Sequence, residues 1–141
     1  MIKINHIAIV VSDLEVARKF WNESLGLPLE RVAHVGDEAV NVAFLPAGEG
    51  EIELVQPTDP ESGVARYLEK RGPGIHHLCL EVDDLTATMA RLRAAGVELI
   101  NEEPRVSAEG RQYAFVHPRS TGGVLLELYA RARAGGIAAK E

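Results

Sequence analysis

The chain is poor in the features that would place it outside a reducing compartment or in a membrane. Its 141 residues contain one cysteine, Cys79, so no internal disulfide can form and a reducing cytosol is the expected setting. No stretch approaches the roughly 20 consecutive apolar residues of a membrane-spanning helix, so no membrane association is expected. An early secretory run is not expected either, because Met1-Ile2-Lys3-Ile4-Asn5-His6 already reads as a strand carrying polar residues. Basic charge is scarce: 15 Lys and Arg stand against 21 Asp and Glu, a net charge of −6. That balance argues against a nucleic-acid or anionic-membrane partner. An anionic small substrate stays open, because a local cation or metal can outweigh the global charge. The 46% hydrophobic and 26% charged residues are those of an ordinary globular protein.

Against this plain background the chain repeats itself. Ile4-Asn5-His6-Ile7-Ala8-Ile9-Val10-Val11 is echoed by Ile75-His76-His77-Leu78-Cys79-Leu80-Glu81-Val82, and Ile52-Glu53-Leu54 by Leu126-Glu127-Leu128. His6 and His77 lie 71 residues apart, and Glu53 and Glu127 lie 74 apart, so the register nearly holds along the chain. In the first half a strand at 3–11 puts Ile4, His6, Ala8 and Val10 on one face. Ser12 or Asp13 then caps a helix with Leu14, Ala17, Phe20, Trp21 and Leu25 at helical spacing, ended by Gly26. Strands follow at about 28–35, 38–45 and 51–56.

A connector over 57–74 holds a short helix, Val64 to Arg71, between Pro- and Gly-rich breaks. The pattern then restarts with a strand at 75–82, an Asp83 or Asp84 cap, and a helix carrying Leu85, Met89, Leu92 and Ala95. Strands near 97–101, 111–117 and 123–130 complete it, and 131–141 read as a flexible tail. The expected fold is α+β: two tandem βαβββ modules, about 3–56 and 75–130, whose strands combine in one cupped mixed sheet within a single domain of residues 1–130.

A lone histidine on an apolar strand is ordinarily a hydrogen-bonded core residue, and a lone glutamate can face solvent. Their recurrence at matched places in both halves has no such explanation. An ionised carboxylate in an apolar strand needs a compensating cation or donors. Two His and two Glu are mixed nitrogen and oxygen donors suited to zinc, cobalt, nickel or manganese. Four protein donors on an ion that accepts six leave two positions for a chelating substrate. His76 alternates to the face opposite His77, His34 lies near a turn, and Cys79 reads as a small buried hydrophobe. Gly122-Gly123 reads as a turn rather than a phosphate loop, since no helix follows.

With these residues in hand, the chain resembles the vicinal oxygen chelate superfamily, also called glyoxalase-like, and within it the methylmalonyl-CoA epimerase family. The resemblance runs from residue 4 to about 130. Its most specific parts are the double His in Pro73-Gly74-Ile75-His76-His77 and the segment Phe115-Val116-His117-Pro118-Arg119 before Gly122-Gly123-Val124-Leu125. It implies a divalent metal, cobalt first with zinc, nickel or manganese as alternatives, held by His6, Glu53, His77 and Glu127. It also implies an acyl-CoA thioester substrate, a homodimer, and removal of an α-proton with Glu127 as first choice of base and Glu53 as second. Some members carry a glutamate, assigned as a base, on the strand where this chain has Asn41. Asn41 cannot take that proton and is expected to orient the substrate, with His117 and Arg119 as further substrate residues. Glyoxalase I, a metal-free binding protein of the same fold and a ring-cleaving iron dioxygenase are the competing readings. The first shares the ligand set but lacks the double His and the His-Pro-Arg segment.

Overall fold

The computed structural model describes residues 1–131, which divide into two compact units. One is His6–His76; the other joins Met1–Asn5 to the residues from His77 on. The division falls inside the first strand, β1 (Lys3–Val10), and just before the second His of the His-His pair. Each unit follows the expected βαβββ order.

In the first unit the strand order is β2-β3-β4-β1, from β2 (Arg31–Val35), β3 (Val40–Ala47) and β4 (Gly50–Pro57). β1 runs parallel to β4 and the other pairs are antiparallel. Directly opposed residues point to one side of a sheet, so the register sorts the side chains into two faces. Ala43, Leu45 and Leu54 fill one face and pack against Leu14, Ala17 and Trp21. His6, Ala8, Val10, Glu51, Glu53, Val55, Val40, Val42 and Phe44 are on the other.

Helix α1 (Leu14–Arg18) begins where Asp13 accepts from the amides of Glu15 and Val16, while Leu14 N–H donates to Gln56 Oε1 at 2.7 Å. It does not continue as the expected α-helix but widens into a π-helical turn over Lys19–Ser24. A wider turn advances each residue by a smaller angle, so Leu25 rotates off the apolar stripe. Phe20 and Leu25, expected in the core, are exposed, and Phe20 meets Trp21 edge-on at 5.1 Å. Gly26 then ends the segment with φ of 96°, a conformation that costs a side-chain-bearing residue more. Helix α2 (Gly63–Arg71), capped by Ser62, sets Val64 against the Val40, Val42 and Phe44 cluster.

In the second unit the order is β5-β8-β7-β6, from β5 (Gly74–Val82), β6 (Arg105–Val106), β7 (Gln112–Val116) and β8 (Leu126–Ala130), with β5 parallel to β8. Asp84 caps helix α3 (Leu85–Ala94), whose Leu85, Met89 and Leu92 pack on Val82, Ala114, Val116 and Leu128. The strand expected at 97–101 is reduced to one bridge, Leu99 with Val116. Ile100 N–H still donates to Phe115, but Phe115 N–H is taken at 2.8 Å by the side-chain oxygen of Asn101. A side chain standing in for the backbone acceptor ends that ladder, and Arg105–Val106 forms the third strand instead. Arg131, expected to begin the tail, is held: its amide donates to Val82 and its Nε lies 2.7 Å from Asp83. The rest of the expected tail lies outside the described residues. Among the described residues no helix is long and apolar enough to cross a membrane.

Candidate functional site

Each unit brings one of the expected His–Glu pairs together, and by the same geometry. In the first, Ala8 opposes Glu53, so His6 lies diagonal to Glu53 on the same face. His6 Nδ1 is 3.3 Å from Glu53 Oε2. In the second, Cys79 opposes Glu127 and His77 takes the diagonal place, with His77 Nε2 3.0 Å from Glu127 Oε1. The repeat seen in the sequence is therefore a repeat of side-chain contact.

The side chains of these four residues are withdrawn from water, at 4% exposure for His6, 15% for Glu53, 14% for His77 and 5% for Glu127. The solvent-facing alternative for Glu127 does not hold. Taking a carboxylate out of water costs several kcal/mol unless a cation and hydrogen bonds repay it. A neutral imidazole donating to each acid repays part of this; a divalent ion repays more. Two donors each about 2.1 Å from one ion lie about 3.0 Å apart at a right angle and about 3.4 Å apart at a tetrahedral angle. The two pair distances fall at those values, so each pair has the spacing of two ligands on a divalent ion.

The remaining expected residues separate from these pairs. Asn41 opposes Gln56 and His34, on the face away from His6 and Glu53, and its Oδ1 lies 2.9 Å from His34 Nδ1. It cannot orient a substrate beside Glu53: the alternation of β3 points it the other way, and Val40, Val42 and Phe44 are the β3 residues on the Glu53 face. His117 caps the short 3-10 turn Pro118–Ser120, accepting from the Arg119 amide at 2.9 Å. The exposed Arg119 side chain lies 3.0 Å from Glu98. His34 is exposed, Cys79 is fully buried, and His76 packs against the Tyr67 ring at 4.7 Å. Gly122 and Gly123 close a turn with φ of 78° and 115°, as expected.

Sequence reasoning missed a polar cluster on the His77–Glu127 face. Glu81 Oε1 accepts from Asn5 Nδ2 at 3.3 Å and from Arg111 Nη2 at 3.0 Å, and the Arg111 guanidinium lies over the Tyr129 ring at 4.8 Å. The available signal was the two-residue alternation His77, Cys79, Glu81 along an otherwise apolar strand.

Two repeated βαβββ units, each with a buried His–Glu diagonal whose spacing suits a divalent ion, define the class of protein, and comparison with known proteins agrees. Residues 5–115 match the family model described as the Glyoxalase/Bleomycin resistance protein/Dioxygenase superfamily, and the chain belongs to that superfamily. It is 38% identical over 128 residues to the ethylmalonyl-CoA/methylmalonyl-CoA epimerase of Cereibacter sphaeroides, spanning 89% of this chain and 96% of the relative. The crystal structure of methylmalonyl-CoA epimerase from Mycobacterium tuberculosis superposes with a TM-score of 0.82 at 38% identity, over 92% of this chain and 88% of that one. A methylmalonyl-CoA epimerase in complex with methylmalonyl-CoA and NH4+ superposes with a TM-score of 0.81 at 30% identity, over 92% and 94%.

Proposed function

We infer that the chain is an isomerase that interconverts (R)- and (S)-methylmalonyl-CoA, removing and returning the α-proton through an enediolate. The observation that carries this is the pair of buried His–Glu diagonals at matching places in a chain this similar to such epimerases. His6, Glu53, His77 and Glu127 are assigned as ligands of one divalent ion, cobalt first, with zinc, nickel or manganese as alternatives. When bound, the ion supplies positive charge that offsets the substrate carboxylate and the oxyanion developing from the thioester.

The chain's own residues do the rest. The α-hydrogen lies between a thioester carbonyl and a carboxylate, and Glu127 takes its proton. Glu53 is assigned as the second acid–base group, since a centre inverts only if a proton returns on the opposite side. His77, 3.0 Å from Glu127, and His6, 3.3 Å from Glu53, would be the co-ligands that set the place of each carboxylate beside the ion. His117 and Arg119 are kept as substrate residues, Arg119 as an exposed cation that can meet an anionic CoA tail. The reading includes a homodimer and a cytoplasmic setting, which suits a buried lone cysteine.

The test is metal analysis of the purified protein followed by a coupled assay with the (S) epimer and an (R)-specific mutase. Metal-dependent conversion is expected. No conversion by metal-loaded protein, or turnover of the methylglyoxal–glutathione hemithioacetal in its place, overturns the reading.

A further inference from the structure

The registers of the two units can be matched residue by residue, and the match breaks chemically in one place. Glu53 is flanked by Ala8 and Phe44 on its neighbouring strands; Glu127 is flanked by Cys79 and Phe115 in the same way. One same-face step further along, the first unit has Val10, Val55 and Val42, and one step beyond on β3 is Val40. The equivalent positions of the second unit hold Glu81, Tyr129, Tyr113 and Arg111.

The first unit meets its packing needs here with valines, of which Val10, Val40 and Val42 are buried. The second unit instead withdraws an ion pair from water, with side-chain exposures of 12% for Arg111 and 16% for Glu81. Desolvating such a pair is unfavourable, and replacing a buried pair by well-packed apolar residues is often neutral or stabilising. The valines of the first unit are that replacement within the same fold. Packing therefore does not call for the charges, and a ligand does.

Arg111 is presented for one. Its Nη2 donates to Glu81 and its Nε donates to the Ala130 carbonyl at 3.0 Å. A guanidinium has five N–H donors, and Nη1 has no acceptor among the described residues. Glu81 and Tyr129 fix the fork on the face that carries His77 and Glu127. Arg111 stands two same-face steps before Phe115, but its side chain reaches back to Glu81 and the Tyr129 ring, which lie one step of about 7 Å from the Cys79–Glu127 row.

Resting on the epimerase reading, we propose that Arg111 is a specificity-determining residue that takes the free carboxylate of the malonyl-type thioester, with Glu81 as its positioning residue. Arg111 then selects acyl-CoA thioesters that carry a second acid group over simple acyl-CoA.

The test compares calorimetric binding of methylmalonyl-CoA and of propionyl-CoA, which lacks only the carboxylate, to the metal-loaded full chain. In Arg111→Gln, methylmalonyl-CoA binding weakens about 10- to 100-fold, the loss of a charge-assisted pair of hydrogen bonds, while propionyl-CoA stays within about 2-fold. The double substitution Glu81→Val with Arg111→Val copies the first unit, unfolds thermally as a cooperative protein, and binds the two thioesters alike. Equal weakening of both thioesters in Arg111→Gln, or a folded double variant that still prefers methylmalonyl-CoA, overturns the assignment. Should the double variant not fold, Arg111→Gln decides alone. A wild-type protein that neither discriminates nor exchanges the α-hydrogen with deuterated water instead sinks the epimerase reading itself.

Discussion

Replacing Glu127 by glutamine separates chemistry from folding more cleanly than any other change in this chain. Glu127 is buried and lies 3.0 Å from His77 Nε2. Glutamine keeps the side-chain length and an oxygen that can accept from the imidazole. The exchange is then a charged hydrogen bond for a neutral one, a difference of about 1 kcal/mol. Against a native stability of about 5–15 kcal/mol, the variant remains folded. Proton abstraction is another matter, because an amide oxygen cannot act as the base. A positioned general base contributes about 10²- to 10⁴-fold, so α-hydrogen exchange of methylmalonyl-CoA in deuterated water should fall by at least about 100-fold. Proton NMR of the α-hydrogen follows the exchange, with metal content measured on the same sample. Exchange retained in Glu127→Gln at full metal loading refutes the assignment. So does exchange that is lost with the metal and fully restored by adding it back, because Glu127 would then be a ligand only.

Two further outcomes follow from the same geometry. Stripping the metal with a chelator should abolish exchange and lower the thermal midpoint; an ion present at 100 times its Kd contributes about 2.7 kcal/mol to the folded state, and calorimetry with and without cobalt checks it. An unchanged midpoint would mean that the four ligands hold no ion. Asn41→Ala should leave turnover within about 2-fold and cost no more than about 1 kcal/mol, since it removes one exposed hydrogen bond with His34; a large fall in kcat with normal stability would return Asn41 to the site.

Much of this was legible in the sequence because alternation and duplication leave marks that survive without coordinates. His6 and Glu53, like His77 and Glu127, were recoverable because equivalent positions carry equivalent chemistry. The caps at Asp13 and Asp84 were readable to within one residue because a short acceptor before an apolar periodic run has few other uses. Asn41 shows the limit. Its face depends on which residue of β3 opposes Glu53, and a one-residue difference in register turns every side chain over. The register observed puts Phe44 opposite Glu53 and sends Asn41 to the helix side. The π-helical turn after Arg18 was equally hidden, because one extra residue in a turn moves Leu25 off the core stripe without altering composition. The Glu81–Arg111 pair joins a β5 residue to the residue just before β7, 30 positions away, and no local pattern links them.

The displacement of Asn41 bears on how the proton returns. With Val40, Val42 and Phe44 on the Glu53 face, β3 supplies no acid or base there. On the second unit's equivalent face Glu81 is engaged by both Asn5 and Arg111, which leaves Glu127 as the carboxylate in contact with an imidazole. On the first unit's face the carboxylates are Glu51 and Glu53, and Glu53 is the one beside His6 in the equivalent diagonal. On the proposed reading, the two proton carriers would follow the duplication itself, one from β4 and one from β8, instead of being a ligand and a separate group on β3. The same-face residues beside them do not follow it: valines in the first unit, an anchored guanidinium with tyrosines in the second. A malonyl thioester is itself two-sided in this sense, nearly symmetric about its acidic carbon and different at its two acyl ends. On the epimerase reading, one carboxylate from each repeat, set among unlike neighbouring residues, would suit such a substrate.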